Sequence, residues 1–232
     1  MIDIHCHILW GVDDGASDLE ESVQMARVAV EEGIKTIVAT PHFTNDLMVK
    51  IDVVRRKVQE LQATLDELGI PLTLRAGNEI RLESADFVYR YAEQGTFGYL
   101  DAERRYVLVE EPWGGYLPES PDIVRWFVSR GTTPIITHPE RHPFFRENPA
   151  LLTALLELGA WTQVSADSLL GKNGDDAQAF AVQLLNEDRV HTLASDAHNI
   201  RRKPNLGEGF RRIREHAGDG KADAILERMS RI

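Results

Sequence analysis

Histidines and carboxylates recur in this chain where apolar runs give way to loops. Ile2-Asp3-Ile4 leads into His5-Cys6-His7, Ile37-Val38-Ala39-Thr40 leads to His42, and the run from Leu72 to Gly77 leads to Glu79. Tyr106-Val107-Leu108-Val109 ends at Glu110, Pro134-Ile135-Ile136-Thr137 ends at His138, and the run from Val190 to Ser195 ends at Asp196 and His198. Each residue alone has an ordinary reading: His42 as a loop histidine, a strand-end glutamate as a solvated group, Asp13-Asp14-Gly15 as a turn. Gathered at one rim they are a set of metal donors. Imidazole with carboxylate and no thiolate suits manganese, iron or zinc, and argues against calcium and, less firmly, magnesium. Nine such donors are too many for one ion, so two or three carboxylate-bridged ions are expected. Clusters of that kind activate water and clamp phosphoryl groups.

Local spacing supports the gathering. In an extended segment His5 and His7 share a face while Cys6 points the other way, and Asp196-x-His198 repeats the arrangement with Ser195 and Ala197 turned away. Either Glu110 or Glu111 could be the inward carboxylate of its strand.

Seven strands are expected at about 2–6, 35–40, 71–77, 105–110, 133–137, 160–165 and 190–195. Helices are expected between them at 18–32, 51–68, 84–94, 120–130, 148–158 and 175–186, with one or two more across 206–229. Gly33, Gly131 and Gly159 stop three of these helices, and Ser120-Pro121 reads as an N-cap followed by an N1 proline. Alternating strands and helices imply parallel βαβ units. The donors come from six of the seven strands, and closure of the sheet brings that many strand ends together where an open sheet does not. The expected fold is therefore α/β: a distorted (β/α)7 TIM-like barrel forming a single domain over residues 1–232.

Composition bounds the partners. Hydrophobic residues make up 43% and charged residues 27%, as in an ordinary globular protein. The net charge of −11, from 37 acidic and 26 basic residues, disfavours nucleic acid, whose phosphates reward a basic face. A single cysteine leaves no internal disulfide framework, no apolar run reaches a membrane span, and no signal peptide is visible. A cytoplasmic setting without membrane insertion is the expectation.

The motifs His5-x-His7, the Asp14 loop, Thr40-Pro41-His42, Gly77-x-Glu79, His138-Pro-Glu-Arg141 and Ala194-Ser-Asp196-x-His198-Asn199 resemble the polymerase-and-histidinol-phosphatase superfamily. The opening Asp3-Ile4-His5-Cys6-His7-Ile8-Leu9, followed by Gly11-Val12-Asp13-Asp14-Gly15, more closely resembles the manganese-dependent protein-tyrosine phosphatases of bacterial capsule and exopolysaccharide operons, the CpsB/YwqE-like group. The resemblance runs from residue 1 to about 205 and implies a trinuclear site. On that pattern His5, His7, Glu79 and Asp196 hold one metal, Glu79, Glu110 and His138 the second, and Asp14, His42 and His198 the third. Arg141 matches an arginine the group uses on the substrate phosphate. A second group arginine falls about five residues after the last histidine, where this chain has Lys203, so Arg202 or Lys203 would serve.

The implied activity is hydrolysis of phosphotyrosine by a metal-activated hydroxide. The implied partner is a phosphotyrosine protein, a bacterial tyrosine autokinase of polysaccharide assembly. A phosphocysteine route is closed, because Cys6 has Val12 where an arginine would be needed. Trp10, Trp113 and Tyr116 stand in rim loops where they could flank a phosphotyrosine ring. Two other readings compete: a small-molecule phosphatase such as a histidinol-phosphate phosphatase, and a catalytically silent metal-binding regulatory module of the same superfamily. An exonuclease of that superfamily is disfavoured by the net charge.

Overall fold

The computed structural model describes residues 1–232. In chain order the elements are β1 (Ile2–Cys6), α1 (Leu19–Glu31), β2 (Thr36–Ala39), β3 (His42–Phe43), α2 (Ile51–Glu67), β4 (Thr73–Ala76), β5 (Glu79–Arg81), α3 (Ala85–Glu93), β6 (Tyr106–Glu110), α4 (Ser120–Val128) and β7 (Thr133–Thr137). A 3-10 turn (Pro139–Arg141), α5 (Pro143–Glu147), α6 (Pro149–Glu157), β8 (Trp161–Ser165), α7 (Ala166–Leu169), α8 (Asp175–Asn186), β9 (Thr192–Ala194), α9 (Leu206–Ala217) and α10 (Asp219–Met229) follow.

All named strand pairs are parallel, in a three-stranded sheet β1-β2-β4 and a six-stranded sheet β3-β5-β6-β7-β8-β9. The two sheets form one ring. Asp196 N donates to His5 O (2.9 Å) and His7 N to Ala197 O (2.8 Å), joining the end of β1 to the segment beyond β9. On the other side β2 runs on into β3 and β4 into β5, and Gly77 N donates to Ala39 O and Glu79 N to Pro41 O across the breaks. The barrel architecture expected from the strand pattern is thus present, and it is distorted.

Two expected strands, β2 and β4, are each followed by a second short strand, β3 and β5, beyond the expected bounds. Pro41 has no N–H to give the ladder, so the second run is interrupted between Ala39 and His42. At Gly77 the chain passes so close to its neighbours that a Cβ there would lie 2.9 Å from Val38 Cγ1, and one on Gly98 would lie 2.4 Å from Ile51 Cδ1. Glu79 therefore opens the short β5 and does not close a long third strand. Residues 95–102 fill the gap between β4 and β6, with Gly98 N bonded to Asn78 Oδ1 (2.8 Å) and Leu100 N to Tyr106 O (2.9 Å).

Ile4, Val38, Leu100, Tyr106, Leu108, Ile135, Ala194 and the terminal Ile232 pack together inside the ring. A larger core lies between strands and helices. Helix α2 shows how it is built: Ile51, Val54, Val58, Leu61 and Leu65 recur at helical spacing and are all buried. Each such side chain contributes roughly 1.5–3 kcal/mol on full burial. Asp18 and Ser84 cap α1 and α3 by accepting from Glu21 N and Phe87 N. At α4 the cap is Glu119, and Ser120 is already helical, which corrects the expected Ser120 N-cap. The tail is two helices, broken at Gly218, whose φ of +85° suits glycine. The two short helices α5 and α7 carry too few residues to show a period in sequence.

At the opposite end of the barrel His191 is held neutral. Its Nδ1 accepts from Thr162 N (3.2 Å), and its ring stacks on Trp161 at 5.9 Å. Burial, then the nearby Arg228 charge, lower its pKa from the ordinary 6.5 to about 4. Because the folded value is depressed, this stabilisation is present above pH 6.5 and is lost as pH falls from 6.5 through about 4. Chemical denaturation at pH 7.5 and 4.5 should therefore show a smaller acid-induced loss of stability in His191→Gln than in the wild type. Equal losses in the two proteins would contradict the assignment.

Candidate metal centre

The nine histidines and carboxylates expected from the sequence converge at the C-terminal rim of the strands. Their lines of approach are set by small irregularities. One extra residue in β1 relative to β2 forms a bulge between Asp3 and Cys6, where Cys6 pairs with Ala39. Ile4 and His5 consequently both serve the inside of the ring, while Cys6 packs into the outer core. His42 and Glu79 stand directly opposite one another in the β3–β5 pair. His138 and Asp196 lie just past β7 and β9 with φ of +29° and +52°. Non-glycine residues rarely adopt such values, which turn the chain sharply and aim both side chains inward. Simple strand alternation, the basis on which Asp196 and His198 were expected to share a face, does not apply there.

Glu79 lies at the centre, buried among four imidazoles. Its Oε1 is 3.4 Å from His5 Nε2 and 3.3 Å from His138 Nε2, and its Oε2 is 3.6 Å from His7 Nε2 and 3.0 Å from His42 Nδ1. Asp196 Oδ1 is 3.3 Å from His5 Nε2, and Glu110 Oε1 is 3.6 Å from His138 Nε2. Asp14 Oδ1 sits 3.3 Å from His42 Nε2 and 3.5 Å from His198 Nε2. Three donor groups, each within a span of 4.8 Å, emerge: His7-Asp14-His42-His198, His5-His7-Asp196 and His42-Glu79-Glu110.

The donor set fits divalent cations better than it fits hydrogen bonding. Glu79 Oε1, despite its close nitrogens, makes no hydrogen bond, and neither does the buried His42 Nδ1. Several histidines also spend their other ring nitrogen elsewhere. His5 Nδ1 pairs with Gln163 Oε1 (2.8 Å), His7 Nδ1 with Asp13 Oδ2 (2.7 Å) and His198 Nδ1 with the Asp196 carbonyl (2.9 Å). If those nitrogens carry the protons, as the acceptors require, the Nε2 lone pairs face the cluster, as metal ligation demands.

Electrostatics say the same. Burial opposes charge on Glu79, but His5, His138 and His42 hold its carboxyl well below the usual range. Burial would lower His5, yet Glu79 and Asp196 hold it up at about 9, and Asp14 and Glu79 hold His42 at about 11. Burial pushes His138 down to about 4 and His198 down to about 3. Burial, then the Glu79 charge, raises Glu110 to about 7. The carboxylates thus draw positive charge onto the buried His5 and His42 while His138 and His198 stay neutral, and divalent cations would supply that charge without protons.

Gln163, Asp13, Arg81 and Trp113 support these donors; of the four, only Trp113 was expected near the site from sequence, as a rim aromatic and not as a partner of Glu110. Gln163 comes from β8, the one of the seven expected strands without a donor, and among the polar residues Thr162, Gln163 and Ser165 nothing in the sequence marked it out. Arg81 Nε donates to Glu110 Oε2 (2.9 Å), and Trp113 Nε1 donates to Glu110 Oε1 (2.8 Å) while its ring stacks on His138. Glu110 is therefore the inward carboxylate. Glu111 is buried apart from the cluster, accepting from Leu117 N (3.1 Å).

Two guanidinium groups stand over the cluster. Arg141 Nη1 donates to Asp196 Oδ2 (2.6 Å), and Arg202 Nη2 donates to the same oxygen. Both line a cavity of about 210 Å³ above the donors, together with Arg81 and Trp113. Lys203 does not: its Nζ pairs with Glu208 Oε1 (2.8 Å), because the chain turns toward α9 there. Of the three rim aromatics only Trp113 reaches the cavity. Trp10 lies under Lys57 Nζ, and Tyr116 packs on Phe144 and Phe145. Cys6 is fully buried, and burial, then Asp3 and Asp196, push its thiol pKa well above the usual value.

Known proteins share this arrangement of elements. A crystal structure described as YwqE from Bacillus subtilis and CpsB from Streptococcus pneumoniae, unique metal-dependent tyrosine phosphatases, superposes with a TM-score of 0.93 at 36% identity, covering 98% of this chain and 92% of that one. A phosphotriesterase homology protein from Escherichia coli, at a TM-score of 0.57 and 14% identity, shares the fold alone. In sequence, the tyrosine-protein phosphatase YwqE of Bacillus subtilis is 39% identical over 202 residues, 87% of this chain and 78% of that protein. The putative tyrosine-protein phosphatase CapC of Staphylococcus aureus is 31% identical over 234 residues, 99% of this chain and 87% of that protein. The family model for capsular polysaccharide synthesis, CpsB/CapC, matches residues 1–231, and with relatives this similar along nearly the whole chain, the protein belongs to the CpsB/CapC family.

Proposed function

We propose that this protein is a metal-dependent tyrosine-protein phosphatase whose donors are His5, His7, Asp14, His42, Glu79, Glu110, His138, Asp196 and His198. The observation that carries the reading is the buried Glu79 among four imidazoles, with Arg141 and Arg202 over one wall of the same cavity. Manganese is the proposed ion, at two or three per chain, and iron or zinc suits the same donors. Such ions supply Lewis acidity, which offsets phosphoryl charge and makes water a usable nucleophile at neutral pH.

The chain's own groups orient the substrate. Asp196 steers Arg141 and Arg202 toward the cavity, where each has further N–H donors for phosphate oxygens. Their charge also stabilises the growing negative charge at phosphorus. Trp113 gives the cavity an aromatic wall suited to packing against a phenol ring. Asp13 and Gln163 keep His7 and His5 in the tautomers the donors need. Cys6, buried and turned toward Ala197 O, has no part in bond breaking. Residues 1–232 would act as one catalytic domain. The proposed substrate is a phosphotyrosine protein, with a bacterial tyrosine autokinase of polysaccharide assembly as the natural candidate. No helix is long and apolar enough to cross a membrane, and a cytoplasmic site of action is proposed.

EDTA should abolish phosphate release from a phosphotyrosine peptide, Mn²⁺ should restore it, and Cys6→Ser should keep most of the activity. Loss of activity in Cys6→Ser at normal metal content would refute the mechanism. Arg141→Ala should lower kcat by about 10²–10³ with metal content unchanged, and Arg141→Lys should recover only part, since a point charge lacks the planar fork. A wild-type rate in Arg141→Ala removes this residue from the reaction. Elemental analysis should find more than about one ion lost in Glu79→Ala, the proposed bridge, and about one lost in His42→Ala. Equal losses in the two variants would contradict the bridging role.

A further inference from the structure

The interrupted ladder between β4 and β6 leaves a cleft of about 310 Å³ that shares no lining residue with the cavity over the metal donors. Arg75 of β4, Arg55 of α2 and Arg104, just before β6, all line it. Arg75 is half-buried and makes one hydrogen bond, to the Leu100 carbonyl. A guanidinium has five N–H donors, so most of its capacity is unused. Neither Arg75 nor Arg104 forms an ion pair. The pair that Arg55 makes with Asp52, at 3.5 Å between exposed side chains, is of the kind that contributes little. The acid in the wall, Asp101, is committed elsewhere: Oδ1 accepts from Arg105 N (2.7 Å) and Oδ2 from Arg105 Nε (2.7 Å). Arg104 has a φ of +59°, and its guanidinium carbon stands 5.5 Å from the centroid of the Tyr99 ring, another wall of the cleft. A half-buried arginine without a counter-charge is costly, and this one sits in a chain of net charge −11.

We propose that this cleft is a second anion site, which takes a small phosphorylated ligand with its phosphate among Arg55, Arg75 and Arg104 and its organic part against Tyr99. The site is independent of the metal centre and of the activity assigned to it. Guanidinium groups bind phosphate through paired, charge-assisted hydrogen bonds, and three of them around one opening meet a dianion from several sides.

Calorimetric titration of inorganic phosphate into the metal-loaded protein should detect binding that does not depend on the rim arginines. Arg55→Ala combined with Arg104→Ala, both at exposed positions, should weaken that binding at least about tenfold with an unchanged thermal midpoint. Arg141→Ala combined with Arg202→Ala should leave it intact. Unaltered phosphate binding in the cleft variant overturns the proposal, as does loss of all phosphate binding in the rim variant. The rim variant's own loss of phosphatase activity reports on the metal centre and leaves the cleft result readable.

Discussion

A carboxylate buried among imidazoles organises this protein. Glu79 stands where four histidines from three chain segments meet. Removing a charge from water is expensive, and the structure offsets that cost with compensating charge rather than with solvent. Much else follows from keeping that group in place. Asn78, its neighbour, is fully buried and bonded to the carbonyls of Pro41 and Val49, which fixes the approach of His42 from the adjacent strand.

Distortion of the barrel has the same origin. An ideal strand would carry side chains alternately in and out, and would deliver one donor per strand end. The bulge in β1 turns His5 inward beside Ile4, and the left-handed residues His138 and Asp196 re-aim two more donors. Breaks at Pro41 and Gly77 create the short β3–β5 pair that sets His42 against Glu79. Each irregularity costs regular hydrogen bonding or backbone energy, and each lies next to a donor. The break at Gly77 also opens the flank where residues 95–102 and the arginine cleft are found.

Around the donors, a further layer determines protonation and direction. Gln163 and Asp13 orient two imidazoles, Arg81 and Trp113 hold the two oxygens of Glu110, and Arg141 and Arg202 converge on one oxygen of Asp196. Asp196 thereby links the donors to the groups that would meet a phosphate.

The parallel alternation, six helices to within a residue or two, and the histidines and carboxylates at the strand ends were legible in the sequence, because they depend on local patterns: apolar runs, periodic helix faces and polar residues where strands end. Local pattern also separated Cys6 from the chemistry. The choice of Glu110 over Glu111 was not legible, since both are buried and only Arg81, 29 residues earlier, and Trp113 show which one faces the cluster. Lys203 looked equivalent to Arg202 by position, yet its side chain is paired with Glu208 of α9. Gln163 meets His5 across 158 residues. Such assignments belong to tertiary structure because the direction of a side chain at a strand end is set by bulges, left-handed residues and contacts far away in sequence, while the type of residue at that end is written in the chain itself.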